Sequence, residues 1–351
     1  MAGLIATARA RGASDVHVDP EHGVALRLNT HIKPLDDVDI TLNDVQAFLD
    51  DALDRPARAR FDAIGLIDVT CDAAATGALR VHASHGRKGP RLAIRLLAGS
   101  IPEFRELGLP AAIASFVELR GGLVLITGPP NSGKSTTVAS LINRLNQSRS
   151  IHIVVLETAI EHHHRWQNSV ISQYEVGRDV SSLIEGVHGA LRADPDVLVI
   201  AELRGADVVT AALQAAEAGH LVIAALHSPS GTVTTINRIV GLFSAEEQEP
   251  MRHRLADALR GIAALRLLPS RDRRGLRAAA EVLIVTDAIR RLVRDGATHQ
   301  IRSLLSTSLK DGSQTLERHL NDLVAAGEIE IDAARAVANY PNEIAAADRG
   351  K

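Results

Sequence analysis

Leu123-Val124-Leu125-Ile126-Thr127-Gly128-Pro129-Pro130-Asn131-Ser132-Gly133-Lys134-Ser135-Thr136 is the stretch on which the reading of this chain turns. An apolar run over 123–127 meets Gly128, and a helix-like pattern opens at 134 and continues to 145. Between them, Gly128 to Ser135 fits the phosphate-binding pattern G-x-x-x-x-G-K-[ST] in the context that pattern requires, after a strand and before a helix. Backbone N–H groups at such a helix start can cradle a phosphate, and the helix dipole favours negative charge there. Lys134 is expected to bridge the β- and γ-phosphates of ATP, and the Ser135 hydroxyl to help hold Mg²⁺. Gly128, Pro129, Pro130, Asn131, Ser132, Gly133, Lys134, Ser135 and Thr136 thus form the candidate nucleotide-binding set. The bland alternative is a chance Gly-Lys turn. The chain has five lysines (Lys33, Lys88, Lys134, Lys310, Lys351), and one falls in this frame.

Outward from the loop, apolar runs alternate with helical patterns. The runs are Leu123 to Thr127, Ile151 to Leu156, Val197 to Ala201 and Leu221 to Leu226. Each is rich in Val, Ile and Leu on both faces, as buried parallel strands with crossover helices are. Ligands of an open parallel sheet bind beyond the carboxyl ends of its strands. One strand runs into the phosphate loop; the others end in Glu157, Glu202 and His227. All four ends are expected to face one cleft, with the acid at 202 one strand over from the loop.

Glu202 closes Asp-Val-Leu-Val-Ile-Ala-Glu, an apolar strand whose final acid is placed to activate the attacking water. Read blandly, it is a solvated acid capping the next helix. Glu157 and Glu161 are candidates to orient Mg²⁺ through its waters, or else an ordinary acidic helix start. His227 is a candidate γ-phosphate sensor or a structural histidine, and His220 begins its strand farther away. His162-His163-His164 reads as a solvated loop, since adjacent histidines point apart and no Cys or carboxylate stands at metal-ligand spacing.

Residues 1 to about 97 read as a smaller mixed α/β unit. Val24 to Leu28 alternates as a strand, and Asn43 to Asp54 reads as a helix with Thr41 or Asn43 near its N-cap. Leu79 to Ala83 and Arg91 to Leu97 read as strands around the turn His85 to Pro90. Arg80, Arg87, Arg91 and Arg95 cluster on that hairpin. An arginine delivered to a γ-phosphate stabilises transition-state charge, whereas a solvated basic hairpin does nothing of the kind. Domains are expected at 1–98, a linker at 99–110, an ATPase core at 111–297 and a helical segment at 298–351.

The bulk properties fit two domains in 351 residues. Aromatics are 2% of the chain, so the core must be built from Ala, Leu, Ile and Val. A formal net charge of −3 leaves no global basic field for nucleic acid. With one cysteine, Cys71, neither a disulfide nor a Cys-based zinc site can form within the chain. Met1 to Gly12 lacks the apolar core of a secretory signal, and no apolar run approaches the ~20 residues of a spanning helix. The expected compartment is the cytoplasm, with membrane contact only through a partner.

In order along the chain, the phosphate loop, the acidic stretch 157–161, the strand ending in Glu202, and Gly219-His220-Leu221 through His227 resemble the Walker A, Asp-box, Walker B and His-box of secretion ATPases. The branch they resemble most is that of the type IV pilus retraction ATPases. Ala13-Ser14-Asp15-Val16-His17, Leu107-Gly108-Leu109-Pro110, Ala288-Ile289-Arg290-Arg291-Leu292-Val293-Arg294-Asp295 and Pro341-Asn342-Glu343-Ile344 extend the likeness over nearly the whole chain.

The resemblance implies a PAS-like N-terminal domain joined to a RecA-like domain, assembled as a homohexamer with ATP between the two domains. Arg80 and Arg95 best match the arginines that reach the nucleotide, and hydrolysis would change the interdomain angle. The implied partners are an inner-membrane pilus platform protein and a paralogous pilus ATPase. The chain departs from the pattern at Thr158 and Ala159, where the Asp-box carries Asp and Pro, at Asn131 for Gly, at Gly205 for Asp, and at Arg291 for Asn. These departures leave a slow accessory paralogue as an alternative; an engine for secretion or DNA uptake is another.

Overall fold

The computed structural model describes the whole chain except residues 29–30, 74–76, 98–99, 273–274, 308 and 346–351. The expected boundary between a first domain ending at 98 and a linker starting at 99 lies outside the described residues. Two compact units emerge: Met1–Ser100 together with Ala159–His163, and Ile101–Thr158 together with His164–Lys351.

The first unit is a six-stranded antiparallel sheet with helices. In chain order it contains α1 (Ala2–Ala10), β1 (Asp15–Asp19), β2 (Gly23–Leu28), β3 (His31–Leu35), α2 (Leu42–Ala52), α3 (Arg55–Ile64), β4 (Leu66–Ala73), β5 (Gly77–Gly86) and β6 (Gly89–Leu96). The strands lie in the order β3-β2-β1-β6-β5-β4. Alternation sets which face is buried. Val16 and Val18 of β1, Val24 and Leu26 of β2, Leu79, Val81 and Ala83 of β5, and Leu92 and Ile94 of β6 enter one core with Leu4, Ile5, Val45, Leu49 and Phe61 of the helices. Residues between them, such as Asp15, His17, Arg80 and Arg95, take the opposite face.

Helix α2 begins where its cap dictates. The Asp44 N–H donates to Thr41 Oγ1 (3.2 Å) and the Thr41 N–H donates back to Asp44 Oδ2 (2.9 Å), a reciprocal capping box. The turn expected over 85–90 is shorter than its composition suggests. The strands pair through to Gly86 and Gly89, so only Arg87 and Lys88 turn the chain. Edge strand β3 escaped the sequence reading because it is exposed and contains Pro34, which only an edge tolerates.

The second unit holds α4 (Ala111–Ala114), β7 (Gly122–Gly128), α5 (Lys134–Ser148), β8 (His152–Glu157), β9 (Val170–Glu175), α6 (Leu183–Leu191), β10 (Val197–Ile200), α7 (Ala206–Glu217), β11 (Leu221–His227), α8 (Thr232–Val240), α9 (Gln248–Ala258), β12 (Leu259–Pro269) and β13 (Leu276–Ile284). It ends in α10 (Asp287–Arg294), α11 (Ile301–Thr307), α12 (Leu316–Ala325) and α13 (Ile331–Val337). The sheet order is β13-β12-β7-β11-β10-β8-β9. All pairings are parallel except β12 with β13. Every residue of β7 and β10 is buried, because helices cover both faces of the sheet.

One face packs under α6 to α9 and the other under α5 and the segment 104–119. A separate small core joins Leu268 and Ala279 of the β12–β13 hairpin to Leu316 and Leu320 of α12 and to Ile344. Among the described residues, no helix is long and apolar enough to cross a membrane.

His319 of α12 ties this last layer down. Its Nδ1 accepts from the Ala280 N–H at 3.0 Å, which fixes the neutral Nε2–H tautomer, and the ring also bonds the Gly108 backbone. Burial pushes its pKa below the ordinary histidine value and outweighs the opposing pull of Asp322 and Glu328. A folded-state pKa below the unfolded one gives stability that is full above the unfolded value of about 6.5 and declines as pH falls below it. Melting temperature is therefore expected to drop between pH 7.5 and 5.5 by more in the native chain than in His319→Gln; equal drops would show that this ring is not a source of the pH dependence.

Candidate active site

The parallel register brings the sequence-singled residues of the second unit to one edge of the sheet. β7 ends at Gly128, whose Cα stands opposite that of His227 at the end of β11. The Ser228 N–H donates to the Gly128 carbonyl at 3.3 Å, tying the two strand ends together. On the far side of β11, Ile200 of β10 pairs with Ala224 and with Leu156 of β8. Glu202 and Glu157 therefore leave their strands on the same edge as the phosphate loop. The expectation that Glu202 lies one strand over needs correcting: β11 intervenes, because β7 pairs with β11 and β12. His227 occupies the gap, with Nε2 3.3 Å from Glu202 Oε1.

The loop is shaped by backbone that few residues adopt. Gly133 caps α5 at φ +90° and Asn131 sits at φ +60°, a left-handed conformation that asparagine tolerates better than most residues. At Gly128 a Cβ would lie 2.4 Å from Ser132 Oγ and 2.7 Å from the Leu265 carbonyl, so only glycine fits there. Lys134 curls over its own loop and donates to the carbonyls of Gly128 (3.1 Å) and Pro129 (2.7 Å). Ser132 Oγ is buried without a hydrogen-bond partner. A buried hydroxyl left unsatisfied is costly and calls for an acceptor or an ordered water. With Lys134 and the amides opening α5, it makes a donor-rich cradle that fits a phosphate group. Ser135 is exposed and Thr136 half-buried at the start of α5.

The acids are held differently. Glu202, with its side chain 16% exposed, receives a hydrogen bond from Arg204 Nε at 2.7 Å. That bond to the carboxylate raises the Arg204 pKa above its usual value, although the guanidinium is 73% exposed. His227 Nδ1 is buried and has no partner. Glu157 receives a hydrogen bond from Gln173 Nε2 at 3.2 Å. Among the described residues no group of three or more His, Cys, Asp or Glu is placed to hold a metal. The oxygen donors offered to Mg²⁺ are therefore Ser135 and Glu157, and Mg²⁺ is an ion that keeps several waters and takes few protein ligands.

Glu161, Arg80 and Arg95 belong to the first unit. There Arg80 Nη1 lies 3.5 Å from Glu161 Oε1, and Arg95 Nε lies 3.0 Å from Asp15 Oδ1. The sequence reading missed Arg204 and Gln173. Arg204 follows Glu202 by two residues and was legible as a neighbour. Gln173 carried no signal, because β9 itself was not anticipated.

Comparison with known proteins gives the family. The family described as Type II/IV secretion system protein matches residues 2–334. A Type IV pilus retractation ATPase PilT of Pseudomonas aeruginosa is 32% identical over 338 residues, 96% of this chain and 98% of its own. A twitching motility protein of Neisseria gonorrhoeae is 38% identical over 256 residues, 73% of this chain and 68% of its own. The crystal structure of a pilus retraction motor PilT with bound ADP superposes with a TM-score of 0.87 at 36% identity, covering 98% of each chain. The six-stranded unit is thus the PAS-like domain that the resemblance implies, and the parallel sheet with its phosphate loop is the RecA-like one. The chain belongs to the type II/IV secretion system protein family and is an ATPase.

Proposed function

We propose that this chain is the motor subunit of a type IV pilus retraction machine, hydrolysing ATP to ADP and phosphate and driving twitching motility. The observation that carries this reading is the phosphate cradle beside the Glu202–His227 pair, within a chain that resembles a pilus retraction ATPase over 96% of its length.

In this reading the amides of 131–134 and Ser132 Oγ bind the β-phosphate, and Lys134 moves from its own loop carbonyls onto the β- and γ-phosphates. Glu202 is the general base that takes the proton of the attacking water, and His227 senses the γ-phosphate. Arg80 and Arg95 are the arginines that reach the nucleotide, released from Glu161 and Asp15. Ser135, with Glu157 and Glu161 through water, would hold Mg²⁺, which would supply charge neutralisation for the phosphates. The working unit is a homohexamer, located in the cytoplasm and attached to the inner membrane through a pilus platform protein and, in some assemblies, a paralogous ATPase.

Steady-state ATPase activity measured beside native mass tests the reading. A ring of six with Mg²⁺-dependent turnover is the expected result. A chain that binds ATP but turns it over no faster than its Lys134→Ala variant would instead be an accessory subunit, and Thr158 and Ala159 would be the first residues to revert.

A further inference from the structure

The loop that follows His227 is held by two buried charges that the reaction scheme above does not use. Arg266 of β12 is 7% exposed and Glu281 of β13 is 5% exposed. Ala264 pairs with Glu281, and Arg266 with Ala279, so the two charges sit diagonally on one face of the hairpin. Arg266 Nη2 donates to the Pro229 carbonyl at 2.6 Å, and its Nη1 donates to the Leu265 carbonyl at 2.9 Å. That same Leu265 carbonyl is the one a Cβ at Gly128 would strike at 2.7 Å. One guanidinium thus links the strand bordering the phosphate loop to the segment carrying His227.

Glu281 acts at the other end of that segment. Its Oε1 accepts from the Thr232 N–H at 2.6 Å and from Thr232 Oγ1 at 2.8 Å. Helix α8 has no capping side chain of its own, so this carboxylate from a neighbouring strand meets its unsatisfied amides and its positive end. The fit is close: a Cβ on Gly231 would lie 2.3 Å from Glu281 Oε1. From α8 the linkage returns to the phosphate strand, where Thr235 Oγ1 donates to Thr127 Oγ1 at 3.3 Å.

Burying two charges is costly, and the hairpin core has apolar alternatives of similar size. Their bonds go to the backbone between His227 and α8. We infer that Arg266 and Glu281 are positioning residues that set the place of His227 against the phosphate loop and Glu202. The inference rests on the reading of His227 as the γ-phosphate sensor. They act by fixing the 228–232 segment, and a displacement of about 1 Å at a reacting centre costs up to about 10²-fold in rate.

A double-mutant cycle on the full-length chain tests this, reading kcat, ADP affinity by calorimetry and melting temperature. Glu281→Gln is expected to lower kcat about tenfold while ADP affinity stays unchanged. In a His227→Ala background the same substitution is expected to cause no further loss, since there is nothing left to position. Thr232→Val, which keeps Glu281 and its bond to the Thr232 amide, is expected to lower kcat in the same direction and carries the comparison if Glu281→Gln does not fold. Losses that multiply in the double variant would overturn the positioning role while leaving His227 as sensor. A His227→Ala chain with native kcat would overturn the sensor reading and the positioning role with it.

Discussion

Lys134→Ala lowers the ATPase rate by about 10²-fold or more, the expected consequence of removing a preorganised charge from the γ-phosphate. The size of the effect follows from where the ammonium sits. In the loop, Lys134 Nζ is held by the carbonyls of Gly128 and Pro129. It stands at the head of α5 and meets a phosphate by exchanging these partners. The variant loses that charge where helix N-terminus and loop amides already converge, so binding and turnover fall together. The fold should survive, because the Gly128 carbonyl still accepts from the Ser228 N–H. The measurement is steady-state phosphate release with a melting curve on the same preparation. Native turnover in a folded Lys134→Ala chain would remove the phosphate loop from the chemistry.

Glu202→Gln is the second large effect, and it should be one of rate alone. Glutamine keeps the length and an acceptor oxygen facing Arg204 and His227, which lie 2.7 Å and 3.3 Å from Glu202 Oε1. It cannot take a proton from water. Loss of a general base lowers turnover by about 10² to 10⁴-fold. Nucleotide affinity should change little, since the phosphate cradle lies on β7 and α5. Single-turnover kinetics with tightly bound ATP separates the two quantities. Near-native turnover would transfer the role to Glu157 or Glu161.

The two effects differ in how far the sequence exposes them. The phosphate loop is a local object: one contiguous stretch of chain closes it, so residue types and spacing are enough to read it. The same holds for the four buried strands, whose unbroken Val/Ile/Leu runs mark burial on both faces. The hairpin β12–β13 was not legible in this way. Leu259–Pro269 contains Arg260 and Arg266, which read as surface charges. Arg266 is buried with its guanidinium donating to the carbonyls of Leu265 and of Pro229 in the 228–232 segment.

Strand order was also out of reach of sequence, because pairing partners are chosen by contacts far apart in the chain. That choice inserts β11 between the phosphate loop and Glu202, and so makes His227 the bridge between them. The start of α2 could be read to within Thr41 or Asn43 and that of α5 at Gly133, since caps and helix starts are settled within one turn of chain. Gln173, Glu281 and the orphaned state of the Ser132 hydroxyl could not.

By itself, then, the sequence determined the kind of chemistry and the class of each domain, since phosphate cradles and buried strands are written in adjacent residues. Tertiary structure decided which groups stand together at the sheet edge and which buried charges hold them there. A hydrogen bond between residues 49 apart, such as that of Thr232 to Glu281, has no signature until the chain has folded.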